Sequence, residues 1–190
     1  MIGIVDTGGA NLQSIKYSLS RAGVDYKLSN QWSDFSECDK LLLPGVGAAK
    51  NIMNNLKERD LIQPLLAEST KPIIGICVGM QVLFNYSEEE ETECLGLIPG
   101  EVKRFKDSNL TVPHMGWNQV SMNKEFGEYS GYYYFANSYY VDSKEDLTVG
   151  HSSYGINFSA FVRYKNYYGI QFHPEKSSLL GMNFLKKLLS

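Results

Sequence analysis

Cys77 lies in Lys71-Pro-Ile-Ile-Gly-Ile-Cys-Val-Gly-Met-Gln-Val-Leu-Phe84, between an apolar β-branched run and residues that suit the first turns of a packed helix. The pattern Gly75-Ile-Cys77-Val-Gly79 is that of a nucleophile elbow with sulfur in place of the serine oxygen. A residue at such a bend adopts a strained backbone, and the positions two before and two after must lack side chains so that neighbouring chain can pass. The bend places the thiol at the start of the following helix, where free amide N–H groups stabilise a thiolate and later an oxyanion. A buried cysteine in a glycine-containing core turn has the same local pattern, so partners are needed before chemistry is assigned.

A cysteine nucleophile needs a base, and the base needs an orienting group on its other nitrogen. The chain has three histidines, His114, His151 and His173. His173 follows the apolar run Tyr168-Gly-Ile-Gln-Phe172, and Pro174 stops that run before Glu175. The acid can therefore fold back onto the imidazole. If both runs are parallel strands, their carboxyl ends share an edge, and His173 and Cys77 meet there. His114, in Val112-Pro-His-Met-Gly-Trp117, has no acid near it in sequence and reads as structural or interfacial. His151 follows Gly150 in a loop-like stretch and reads as exposed.

These residues need a sheet to hold them. Ile2 to Val5 reads as a buried strand, Asn11 to Arg21 as a helix with Leu12, Ile15, Leu19 and Ala22 on one face, and Val24 to Leu28 as a second strand. Lys40 to Leu43 is a third strand ending in Pro44-Gly-Val-Gly47, which is placed to present backbone N–H groups to a substrate or simply to turn. Helices are expected at Ala48 to Lys57 and Leu61 to Ser69. This opening is that of a doubly wound α/β fold: a flavodoxin-like open mixed, largely parallel sheet with flanking helices. The acidic run Ser87 to Glu93 reads as a solvated loop rather than a metal site. Strands then follow at Ile98 to Phe105, Val112 to Val120, Tyr132 to Val141, Ala160 to Tyr164 and Tyr168 to Phe172, with a terminal amphipathic helix over Leu179 to Leu189. The Thr7-Gly-Gly-Ala10 loop lacks the spacing of a phosphate cradle.

At 190 residues the chain suits one domain, residues 1–190, with a core that needs no staples. A net charge of −3 with both signs intermixed gives no field for nucleic acid or an anionic membrane. Aromatic residues make up 13%, crowded between Tyr129 and Tyr168, which points to strands there or to a contact surface. Three cysteines without paired spacing argue for a reducing compartment, with Cys38 and Cys94 as structural thiols. No signal segment or bilayer-length apolar run is visible, so a cytoplasmic, soluble protein is expected.

Taken together, Gly-Ile-Cys77-Val-Gly-Met-Gln and Phe-His173-Pro-Glu175 resemble the triad of class I glutamine amidotransferases, most nearly the glutaminase subunit of imidazole glycerol phosphate synthase. Leu43-Pro-Gly-Val-Gly47, Val112-Pro-His-Met-Gly-Trp-Asn118, Tyr134-Phe-Ala-Asn-Ser-Tyr-Tyr140 and His173-Pro-Glu-Lys-Ser177 resemble that subunit too, and the resemblance runs from Ile2 to the last helix.

The resemblance implies that Cys77 attacks glutamine, His173 moves the proton and Glu175 fixes its tautomer. It places Gly45, Val46, Gly47 and Val78 at the oxyanion hole, and Gln81, Ser138 and Tyr139 on the bound glutamine. It also implies a (β/α)8 barrel cyclase as heterodimer partner, contacted at or near Asn11, His114, Trp117 and Lys176. No cofactor or metal is implied. Asn137 stands where the family usually has His, and Val78 where Leu is commoner. Within the resemblance, a paralogue feeding ammonia to a sugar amidotransferase for surface polysaccharide is the alternative. Outside it stand a cysteine thioesterase or peptidase, and a non-enzymatic binding module that retains the fold. An intact triad speaks against the module, and Gln81 with Pro44 to Gly47 favours amide chemistry over ester cleavage.

Overall fold

Apolar runs buried on both faces build the centre of the molecule: Ile4, Val5, Leu41 to Leu43, Ile73, Ile74 and Ile170 are all fully enclosed. Such runs belong in a parallel sheet covered by helices on each side. The structure, a computed structural model, describes residues 1–8, 12–106 and 110–190. In chain order the principal elements are β1 (Ile2–Val5), α1 (Leu12–Ala22), β2 (Tyr26–Ser29), β3 (Lys40–Gly45), α2 (Ala49–Glu58), α3 (Ile62–Ala67), β4 (Ile73–Cys77) and α4 (Val78–Gln81). They continue with β5 (Tyr86–Ser87), β6 (Thr92–Glu93), β7 (Glu101–Arg104), β8 (His114–Met122), β9 (Gly131–Asn137), β10 (Tyr139–Asp142), β11 (Thr148–Tyr154), β12 (Ile156–Tyr164), β13 (Tyr167–Ile170) and α5 (Ser178–Leu189).

The strands run β2-β1-β3-β4-β13-β12-β10-β7-β5-β6, with β11, β8 and β9 branching from β12. From β2 to β13 every pairing is parallel. Beyond β13 the pairings are antiparallel except between β5 and β7. The mixed sheet with its parallel half is thus the expected one. Two registers matter for the site. Gly45 pairs with Cys77 across β3 and β4, and Ile170 pairs with Ile76 across β13 and β4. The chain after β3, the elbow after β4 and the turn after β13 therefore emerge side by side. Helix α1 packs against α5, and α5 buries Phe184, Leu185, Leu188 and Leu189. Phe184 joins Tyr133, Phe161 and Phe172 in an aromatic layer with ring centroids 4.1 to 6.0 Å apart. Each such ring contributes roughly 2–3 kcal/mol by burial. Much of the aromatic content is thus core.

Several expected boundaries move. Strand β3 continues through Pro44 and Gly45, since its pairing with β4 runs on to Cys77 and keeps it extended. The expected strand Tyr132 to Val141 is two strands broken at Ser138, whose carbonyl accepts from Phe105 N–H. Strand β11 was not anticipated; its polar residues pair with β12 and β8. His151 consequently sits on a strand, half-exposed, with Nε2 3.2 Å from Glu145. The helix after Cys77 is a single turn, so one-turn amides rather than a long helix dipole serve the elbow. No helix among the described residues is long and apolar enough to cross a membrane, and Cys38, Cys77 and Cys94 are free thiols.

Candidate functional site

Cys77 has φ 56° and ψ −115°, a left-handed conformation that costs a residue with a Cβ about 1–3 kcal/mol. The neighbouring glycines show why the chain must bend so tightly. A Cβ on Gly79 would lie 1.8 Å from Leu43 O, and one on Gly75 would lie 2.4 Å from Gly79 O. Strands β3 and β4 thus grip the elbow turn at van der Waals contact. Gly45 belongs to this grip: a Cβ there would meet Gly79 N at 2.4 Å. It does not line the cavity, so the expected substrate contact at Gly45 becomes a packing role.

In front of Cys77 opens a cavity of about 480 Å³. The end of β3 supplies Val46 and Gly47, the latter with φ 85°. The elbow supplies Cys77, Val78 and Gln81, the β9–β10 junction supplies Ser138 and Tyr139, and the turn after β13 supplies His173 and Lys176. Residues far apart in sequence are gathered here because parallel strands deliver their carboxyl ends to one edge.

His173 is 3% exposed, and its Nδ1 is 2.8 Å from Glu175 Oε1, whose side chain is 2% exposed. The turn holding this pair is pinned by Ser177, whose Oγ donates to His173 O at 2.6 Å and accepts from Tyr134 N–H at 2.9 Å. Gly181 lets α5 approach that turn, since a Cβ there would be 2.2 Å from Pro174 O. Burial pushes the His173 imidazolium down, but the charge and hydrogen bond of Cys77, and those of Glu175, overcome this and raise it to about 10. A thiol and an imidazole that holds its proton thus face one cavity.

Gln81 is 2% exposed, and its Nε2 donates to Tyr139 O at 3.2 Å and to Gln171 Oε1 at 3.1 Å. Asn137 Nδ2 donates to the same Tyr139 carbonyl at 2.8 Å. Glu89 is the residue that sequence reasoning passed over. It sits in the acidic run expected to be solvated, yet it is half-buried, accepts from Ala49 N–H at 2.8 Å at the start of α2, and lines the cavity. Burial pushes its carboxyl above the usual carboxylate range. Its neighbour Glu88 is likewise tied down, accepting from Arg104 N–H and Lys106 Nζ at 2.9 Å each. Only the approach of α2 and β7 picks these two from a run of like residues.

The expected interface residues divide. Trp117 is 54% exposed on the outer face of β8, edge-on to Tyr134, with Met115 and Tyr132 also exposed on the β8–β9 hairpin. Lys176 Nζ lies 6.0 Å from the Tyr134 ring centre. Met115 and Lys176 reach the cavity as well, so this apolar face adjoins its mouth. His114 is not on the surface: at 4% exposure it stacks between Phe135 and Tyr154, with centroids 4.9 and 4.0 Å away. Its alternation on β8 turns it inward where Trp117 turns outward. Asn11 lies outside the described residues.

A family model described as Glutamine amidotransferase class-I matches residues 3–189. Imidazole glycerol phosphate synthase subunit HisH of Idiomarina loihiensis is 41% identical, covering 98% of this chain and 95% of its own length. The protein of the same name from Haemophilus influenzae is 42% identical with 98% of each chain covered, and that from Vibrio parahaemolyticus is 44% identical over 98% and 96%. Among solved structures, a crystal structure of a glutamine amidotransferase superposes with TM-score 0.79 at 17% identity, covering 99% of this chain and 97% of that one. PurLQS from Thermotoga maritima gives TM-score 0.72 at 17% identity over 98% and 96%.

Proposed function

This chain belongs to the class-I glutamine amidotransferase family, and from that premise we propose that it is the glutaminase subunit of an imidazole glycerol phosphate synthase, hydrolysing L-glutamine to glutamate and ammonia for a partner cyclase in histidine biosynthesis. The observation that carries the reading is the buried Glu175–His173 pair facing Cys77 across one cavity.

Cys77 Sγ attacks Cδ of the glutamine side chain, and the amide oxygen becomes an oxyanion. Backbone N–H groups at Val78 and along Val46–Gly47, residues that line the cavity, stabilise it. His173 delivers its proton to the departing nitrogen, the C–N bond breaks, and ammonia leaves behind a glutamyl thioester. Water then attacks the thioester carbon, His173 takes the proton of that water, and the thiolate leaves glutamate free. Glu175 holds Nδ1 so that Nε2 faces the sulfur. Glu89, the carboxylate on the cavity wall, takes the substrate's α-ammonium, while Gln81 and the Ser138–Tyr139 backbone hold the rest of its main-chain end.

The partner is a (β/α)8 barrel cyclase that docks on the Trp117–Tyr134 face beside Lys176, where an exposed aromatic patch adjoins the cavity mouth. Docking there keeps ammonia from being protonated and lost. The expected result is that the chain with its cyclase forms imidazole glycerol phosphate from glutamine and complements a histidine auxotroph, and that Cys77→Ala abolishes both. Glutamine hydrolysis that never reaches the cyclase product, but serves a sugar amidotransferase instead, overturns the pathway assignment.

A further inference from the structure

His114 has no part in the glutamine chemistry above, yet it is a buried histidine whose chain neighbours Pro113 and Met115 and cross-strand partner Asn137 line the cavity, and its hydrogen bonds fix its tautomer. Asn118 Oδ1 accepts from Gln119 N–H at 2.8 Å, and Asn118 Nδ2 donates to Ser153 O at 2.8 Å. The amide orientation of Asn118 is thus set by two bonds that do not involve the imidazole. The same Nδ2 lies 3.3 Å from His114 Nε2, so that nitrogen must be the acceptor. The ring is enclosed between Phe135 and Tyr154, and burial disfavours its charged form. A neutral imidazole that accepts at Nε2 carries its proton at Nδ1. Among the described residues, His114 Nδ1 has no partner.

Two other orphans among the described residues are acceptors, Glu175 Oε2 in the His173 turn and Asn137 Oδ1, and only the second lies across a ladder from His114. Asn137 pairs with His114 across the β8–β9 ladder, both on the inner face, where cross-strand Cβ atoms lie about 4.5–5.5 Å apart. Asn137 is 5% exposed, and Nδ2 is its donor to Tyr139 O, which leaves Oδ1 as a buried acceptor without a partner. A buried donor and a buried acceptor left unmade each cost about 1–3 kcal/mol, which favours joining these two across the ladder.

We propose that Asn118, His114 and Asn137 form a one-way hydrogen-bond relay that holds the Tyr139 carbonyl and, with it, the Ser138–Tyr139 wall of the cavity. Two links are in place, Asn118 Nδ2–H to His114 Nε2 and Asn137 Nδ2–H to Tyr139 O, and the inferred link between them, His114 Nδ1–H to Asn137 Oδ1, donates in the same direction. The relay starts one residue from the exposed Trp117 and ends on the carbonyl that also receives Gln81 Nε2. His114 and Asn137 are positioning residues, and the Asn137 amide supplies both an acceptor and a donor to this chain of bonds. That the wall so held binds glutamine rests on the function proposed above; the relay does not.

The test begins with the unaltered protein labelled with 15N-histidine. A long-range proton–nitrogen correlation should show His114, assigned by its loss in His114→Phe, protonated at Nδ1 and bare at Nε2. In Asn137→Leu, exchange of the Phe105 amide, which donates to Ser138 O, should speed up about tenfold, and the glutamine KM should rise by a similar factor with kcat within about twofold. An Nε2–H tautomer in the native chain, or unchanged Phe105 exchange in Asn137→Leu, overturns the relay. Should the native chain hydrolyse no glutamine even with its cyclase, the functional reading fails while the tautomer and the exchange rate still decide the relay.

Discussion

His173 Nδ1 and Glu175 Oε1 are 2.8 Å apart although only Pro174 separates them in sequence. The turn that allows this is fixed from outside by Ser177 and Gly181, so the acid has no freedom to leave the ring. Glu175→Gln keeps an acceptor at that place but removes its charge. The expected loss in kcat is about a hundredfold.

The same pair sets the pH behaviour. The His173 imidazolium is raised to about 10, above the ordinary histidine value, through Cys77 and Glu175. Its contribution to stability is therefore complete below an ordinary histidine pKa of about 6.5 and lost as pH rises through about 10. Catalysis needs the same proton for the departing ammonia. The alkaline limb of kcat should fall near that apparent value, which belongs to the coupled Cys77–His173 pair. In Glu175→Gln the limb should move to lower pH, since one raising charge is gone; an unmoved limb would separate Glu175 from the proton transfer.

An elbow glycine and a glycine just after β3 give a contrast at the edge of one cavity. Gly79→Ala brings a Cβ to 1.8 Å from Leu43 O, a backbone atom that cannot swing aside. Gly47 has φ 85° with nothing within 4 Å of an added Cβ, so Gly47→Ala meets strain without a clash. Urea unfolding should show a loss of roughly 3 kcal/mol or more for the first and about 1 kcal/mol for the second. Equal losses would mean that the elbow relaxes freely, against the close approach of β3 and β4.

Cys77, His173 and Glu175 stood out in the sequence because their signals are local: glycines two residues either side of a cysteine, and a strand end followed by His-Pro-Glu. The parallel half of the sheet was legible for the same reason, as apolar runs between amphipathic helices. What stayed hidden depends on contacts distant in sequence. Glu89 looks like its acidic neighbours until α2 offers the Ala49 N–H. The break at Ser138 falls between two aromatic runs, Tyr132 to Phe135 and Tyr139-Tyr140, and its carbonyl is held by the Phe105 N–H just after β7. Strand β11 is rich in Ser and His and gains its extended form only between β12 and β8.

Trp117 projects beside the cavity mouth without supporting the core, being 54% exposed. Trp117→Ala should therefore leave the unfolding midpoint and the glutaminase turnover of the isolated chain unchanged while weakening cyclase binding by about 2 kcal/mol, roughly thirtyfold in Kd. Titration calorimetry with the purified cyclase measures this directly. Undiminished affinity would place the partner on another face.

Glu89 separates binding from structure most cleanly, because its carboxylate is held above the usual range by burial and by the nearby Glu90, against the lowering bond from Ala49 N–H. Glu89→Gln retains an acceptor for that N–H but cannot pair with an α-ammonium. The glutamine KM should rise tenfold to a hundredfold, the worth of about 1.5–3 kcal/mol for a charge-assisted bond, with kcat nearly constant. Stability at neutral pH should not fall, since an ionised carboxylate whose pKa is raised on folding opposes folding there. In the native protein the KM should also climb as pH drops, and at a higher pH than an ordinary glutamate would cause, because Glu89 takes up its proton early. That acid-side rise in KM should vanish in Glu89→Gln. A variant that loses stability and kcat together, with the rise in KM still present, would assign Glu89 to holding α2 in place and leave the ammonium to another group.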